Sequence, residues 1–130
     1  MVIDTSAILS ILLEEPEAER FAEAMAKDTK RLMSAVSVLE TGIIIQSRKG
    51  PAGGRELDLL LHRAKIDVVS FTAEHAEAAR DAWMRYGKGR HPAGLNLGDC
   101  CVYALTRISG EPLLFKGSDF SQTDVVTASA

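Results

Sequence analysis

Apolar positions along the chain follow two alternating rhythms. Short β-prone runs, Met1-Val2-Ile3, Leu32-Met33-Ser34-Ala35, Ile66-Asp67-Val68-Val69 and Pro112-Leu113-Leu114-Phe115, predict strands. Val125-Val126-Thr127 is a candidate fifth. Between them, apolar residues recur at the three- and four-residue spacing of helices. Thr5 to Leu13 predicts a helix, and Pro16 with Glu17 and Glu19 predicts the first turn of the next. Val36, Leu39 and Ile43 mark another helix, and Leu57, Leu60, Leu61 and Ala64 one more. Ala76, Ala79 and Trp83 follow a Thr72 N-cap candidate with Glu74 in the first turn. Gly98 to Ile108 predicts the last helix, ended by Ser109-Gly110-Glu111-Pro112. Gly50-Pro51-Ala52-Gly53-Gly54 and the basic stretch from Gly87 to Gly94 read as loops.

Strands alternating with helices require crossover connections and a mostly parallel sheet. The expected fold is a three-layer α/β domain with four or five strands flanked by helices. With no repeat or long linker, the 130 residues predict one domain, 1–130.

Composition narrows the class. Hydrophobic residues are 46% and charged residues 25%, which excludes wholesale disorder. No apolar run reaches the ~18 residues of a membrane span, and Met1-Val2-Ile3-Asp4 lacks the basic start of a signal peptide. Cys100 and Cys101 are neighbours, poorly placed to staple a fold, and read as buried small hydrophobes. A reduced, cytoplasmic protein is expected. The net charge of -3 argues against nucleic-acid binding through bulk charge and leaves room for a local basic patch.

Most acids, among them Glu14, Glu15, Glu17 and Asp81, read as solvated helix faces. Four do not. Asp4 ends the first strand. Glu40 has Val36, Ile43 and Ile44 as same-face neighbours. Asp99 opens the last helix, and Asp119 follows the fourth strand. In a parallel sheet, residues past the strand C-termini meet in one crevice. Converging carboxylates repel, and the remedies are raised pKa values or a divalent cation. Hard oxygen ligands without clustered imidazole or thiolate suit Mg²⁺ or Mn²⁺. Helix or turn capping by Asp4, Asp99 and Asp119 is the plain alternative.

Taken in order, these segments resemble PIN-domain proteins. Met1-Val2-Ile3-Asp4-Thr5-Ser6-Ala7 is similar to their opening strand with its terminal acid. Ser37-Val38-Leu39-Glu40 resembles the segment carrying their Glu, and Leu95-Asn96-Leu97-Gly98-Asp99-Cys100 the one carrying the third acid. Residues 114–125 resemble the C-terminal signature of one subgroup of VapC toxins, the ribonucleases of toxin–antitoxin pairs. The resemblance spans essentially the whole chain. It implies Mg²⁺- or Mn²⁺-dependent endoribonuclease activity and neutralisation by a VapB-type antitoxin. It implies Asp4 and Asp99 as principal metal ligands, with Glu40 and Asp119 completing the site directly or through water. Many relatives place the fourth acid in a Thr-x-Asp, where this chain reads Lys116-Gly117-Ser118, so Asp124 stays open beside Asp119. Ser6 and Asn96 match supporting polar positions. A homodimer is expected.

RNA needs positive charge to hold it. Arg85, Lys88 and Arg90, with His91 and Tyr86 among them, form the densest basic stretch, and Lys116 lies near the acids. Trp83 reads as core or dimer interface, and His62 and His75 as surface. The helix pair Thr5–Leu13 and Pro16–Lys27 is a candidate antitoxin surface. Two other classes compete: a catalytically silent PIN-like RNA- or protein-binding module, and a phosphoacceptor receiver domain. The receiver reading is weak, because Asp4 lacks an adjacent acid and Val68-Val69-Ser70-Phe71 offers no phosphate acceptor.

Overall fold

Four short parallel strands carry the fold in the computed structural model, which describes residues 1–130. They are β1 (Val2–Ile3), β2 (Leu32–Ser34), β3 (Asp67–Val69) and β4 (Leu113–Leu114), in the order β3-β2-β1-β4. Val2 stands between Leu32 and Leu113, and Leu32, Met33 and Ser34 pair with Asp67, Val68 and Val69. Six helices cover the sheet: α1 (Thr5–Leu12), α2 (Ala18–Lys27), α3 (Ala35–Lys49), α4 (Pro51–Arg63), α5 (Ala73–Tyr86) and α6 (Leu97–Ser109). None is long and apolar enough to cross a membrane.

The alternation of side chains along each strand separates two cores. Ile3, Met33 and Leu114 face α1 to α4, packing with Ile8, Phe21, Ile45 and Leu57. Val2, Leu32 and Leu113 face α5 and α6, packing with Ala82, Val102 and Leu105. The three layers follow from this. Near-continuous apolar runs in the strands are what burial on both faces requires.

Four sequence expectations change here. The fifth strand shrinks to one bridge, Leu113 with Thr127. Gly50–Gly54 is not a loop: Pro51 opens α4 and only Gly50, with φ +67°, turns the chain. Gly53 and Gly54 are helical because α3 runs against them. A Cβ on Gly53 would stand 2.7 Å from the Ile45 carbonyl oxygen, and one on Gly54 would clash with Gln46 Nε2. On α3 the buried residues are Ser37, Thr41 and Ile45, while Leu39 and Ile43 are 64% and 59% exposed. The Thr41 hydroxyl is accommodated on the inner face because a local carbonyl accepts its bond: Thr41 and Thr5 both donate to the Ser37 carbonyl, while the buried Ser37 hydroxyl has no partner. Finally, His75 is buried, not on the surface, with its ring edge-on to Phe71.

Candidate active site

All four strands run in one direction, so their C-terminal ends share one edge of the sheet. Asp4 follows β1 there, with its amide bonded to the Leu114 carbonyl at the end of β4. Its extended backbone makes it the N-cap of α1. Asp4 Oδ2 accepts from the Ser6 amide at 3.1 Å and the Ser6 hydroxyl at 2.6 Å. Ser6 Oγ in turn accepts from the Lys116 amide at 2.9 Å, tying the loop after β4 to the carboxylate. Asp4 is thus both a helix cap and a buried carboxylate in the crevice. Burial pushes its pKa up, the Ser6 bonds pull it down, and the Glu40 charge adds to the rise.

Asp99 sits at the third position of α6. Asn96 and Asp99 form a reciprocal capping box: the Asn96 side chain takes the Asp99 amide, and the Asp99 carboxylate takes the Asn96 amide. Asn96 is therefore a cap that orients Asp99. Loss of solvent is the main cause that drives the Asp99 pKa up to about 6, against the pull of the Asn96 bond. Asp4, Asp119 and Glu40 add repulsion in that order.

Asp99 thus feels the charge of the other three acids, and Asp4 that of Glu40. Glu40 is half-buried on α3, its carboxylate lying against the backbone of Gly98. Asp119 is exposed at the start of a single 3-10 turn, Asp119–Gln122. Asp124 stands elsewhere. It accepts from the Tyr103 hydroxyl at 2.6 Å and pairs with Arg85 at 3.5 Å, and these partners hold its pKa below the usual carboxylate range.

Four oxygen-donor side chains, with the Asp4 and Asp99 carboxyls raised, suit a hard divalent cation. As the side chains stand, no three His, Cys, Asp or Glu residues are gathered around one point closely enough to hold an ion. The two cysteines flanking the site are buried, and loss of solvent plus the Asp99 charge pushes the Cys100 thiol up to about 11. Such a thiol stays protonated at neutral pH and is no nucleophile.

A PIN-domain profile matches residues 1–126. The chain belongs to the PIN-domain family. Within it, the chain is 59% identical over 127 residues to Ribonuclease VapC30 of Mycobacterium tuberculosis, covering 98% of this chain and 97% of that one. It is 60% identical over 125 residues to Ribonuclease VapC of Mycolicibacterium smegmatis, covering 96% and 97%. The chain is a member of the VapC ribonuclease group. Among solved structures, Mycobacterium tuberculosis VapC20, described as a Sarcin-Ricin loop cleaving toxin, superposes with a TM-score of 0.78 at 19% identity. That match covers 96% of this chain and 95% of that one. A toxin–antitoxin complex from Klebsiella pneumoniae gives 0.76 at 16%, covering 97% and 94%. At these identities the two structures establish the PIN fold alone.

The basic residues of this PIN domain are less free than the sequence implied. Arg85 hydrogen-bonds the Tyr103 and Tyr86 hydroxyls and pairs with Asp124 and Asp81. Arg90 lies over the Trp83 ring at 4.8 Å. Lys88 is exposed in the loop, whose base is closed by the Gly87–Leu95 bridge. The Lys116 ammonium does not neutralise the four acids. It pairs with Glu15 at 3.3 Å and Glu17 at 3.0 Å, two acids the sequence assigned to plain solvated surface. Their role was hidden because both lie a hundred residues from Lys116 in the chain. Trp83 is 43% exposed and so not core.

Proposed function

We propose that this PIN domain is the toxin of a toxin–antitoxin pair and hydrolyses RNA phosphodiesters with Mg²⁺ or Mn²⁺ held by Asp4, Glu40, Asp99 and Asp119. The observation that carries the reading is the Asp99 carboxyl, raised to about 6 by burial and then by the other three acids. A divalent cation from outside would compensate the buried carboxylates and relieve that repulsion. Such an ion supplies a water of lowered pKa and a counter-charge for the phosphate.

The chain's own residues do the rest. Asp4 is held by two bonds from Ser6 to Oδ2, which leaves Oδ1 as its oxygen for a ligand. Asp99 is oriented by Asn96. The more exposed Asp119 would complete the set directly or through water. Asp124, already committed to Tyr103 and Arg85, holds the C-terminal segment onto α6 instead of serving as the fourth acid. Lys88 is the phosphate contact with least to give up, whereas Arg85, Arg90 and Lys116 each exchange an existing partner for RNA.

Two partners follow. A groove of about 220 Å³ between α1, α2 and α4, lined by Ile11, Ala22, Met25 and Leu60 with Arg63 and Lys65 beside them, has room for one or two apolar side chains of an antitoxin segment lying across this face. The exposed Leu39 and Ile43 on α3 offer an apolar stripe to a second copy in a homodimer. Titration calorimetry with Mn²⁺ tests the core of the reading. Saturable binding lost in Asp4→Asn supports it; a protein that binds no Mn²⁺ or Mg²⁺ contradicts it.

A further inference from the structure

Gly98 has no local reason to be glycine. It occupies the second position of α6, where glycine forms helix less well than alanine. It does not belong to the positive-φ glycines Gly50, Gly89, Gly94, Gly110 and Gly117, so its backbone makes no special demand. What its missing side chain leaves is room for another residue. A Cβ at Gly98 would stand 2.6 Å from Glu40 Oε2 and 3.2 Å from both Glu40 Cδ and Oε1. All three nearest atoms belong to one carboxylate group, reaching across from α3.

We propose that Gly98 is a positioning residue: its bare Cα is the seat on which the Glu40 carboxylate rests beside Asp99. Any side chain at 98 displaces Glu40 from the acidic crevice while leaving the helix intact, because the displaced atoms are the free end of a flexible side chain. The inference rests on the metal-binding reading of these carboxylates and adds a residue that is not itself a ligand. Groups that orient ligands in this way change metal affinity by about 10- to 100-fold when lost.

A double-mutant cycle of Gly98→Ala and Glu40→Ala, titrated with Mn²⁺ by calorimetry, isolates this role. Circular dichroism and thermal melting without metal check the fold of each variant. Gly98→Ala should keep its helical spectrum and bind Mn²⁺ about 10-fold or more weakly than wild type. With Ala at position 40 the seat is empty, so the same substitution at 98 should cost nothing further. Unchanged Mn²⁺ affinity in Gly98→Ala, or an equal loss in both backgrounds, overturns the inference. So does a Gly98→Ala chain that fails to fold while the double variant also stays unfolded. Wild-type protein that takes up no Mn²⁺ contradicts the metal reading itself, an outcome distinct from a wild type that binds and a Gly98→Ala that binds equally well.

Discussion

Replacing Asp99 with Asn should stabilise the metal-free protein even as it removes metal binding. Loss of solvent, then repulsion from Asp4, Asp119 and Glu40, raises the Asp99 carboxyl from 3.8 to about 6. An acid raised on folding holds its proton more tightly in the folded chain. Its full contribution to stability is therefore present below about pH 3.8 and is lost as pH rises through the window to about 6. At about 1.36 kcal/mol per pKa unit the whole rise corresponds to about 3 kcal/mol. Asp99 is partly solvated, and screening reduces this to about 1–2 kcal/mol. Asn keeps an oxygen for the Asn96 amide, so the capping box survives the change. For a domain of this size that is about 3–8 °C in melting temperature. Thermal unfolding of both proteins in EDTA, from pH 4 to pH 8, reads the difference directly. The variant should match wild type near pH 4 and pull ahead through pH 6, then keep a constant lead. An Asp99→Asn protein that melts below wild type at pH 8, or with a gap independent of pH, refutes the reasoning.

Other perturbations separate the roles of neighbouring residues. Asp124→Asn should leave Mn²⁺ affinity unchanged and cost about 1 kcal/mol, since it weakens a charge-assisted bond to Tyr103; urea unfolding and calorimetry measure the two effects. Ser6→Ala removes both the donor to Asp4 and the acceptor for the Lys116 amide, and should lower metal affinity about 10-fold or more with a modest change in melting temperature. Gly53→Ala forces a methyl against the Ile45 carbonyl and should destabilise by about 1–3 kcal/mol in urea unfolding. Leu39→Glu with Ile43→Glu should shift a homodimer to monomer in analytical ultracentrifugation, without loss of the folded spectrum.

The layered sheet was legible in the sequence because short β-prone runs and helical spacing state it locally. The positions of Asp4 and Glu40 were legible for the same reason: Asp4 directly follows a strand whose end the pattern marks, and Glu40 lies within the first two turns of the helix after the next strand. What escaped was long-range. The periodicity of Val36, Leu39 and Ile43 marked a helix correctly but assigned its apolar stripe to the core, where Ser37, Thr41 and Ile45 sit, with the Thr41 hydroxyl bonded to the Ser37 carbonyl. Gly53 and Gly54 looked like a loop because composition does not show that a neighbouring helix runs within contact of them. The Lys116 pairing with Glu15 and Glu17 joins two ends of the chain that no spacing connects. Asp119 and Asp124 could not be separated by spacing; their surroundings distinguish them, one beside Asp99 and the other under Tyr103 and Arg85.

Cleavage of purified total RNA tests the central claim most directly, with Mg²⁺, Mn²⁺ or EDTA present and with Asp4→Asn and Asp99→Asn alongside wild type. The expected result is discrete fragments from wild type with either metal, none in EDTA, and none from the two variants, both folded by circular dichroism. Cleavage that persists in EDTA, or in either folded variant at the wild-type rate, would contradict a metal site built from these carboxylates.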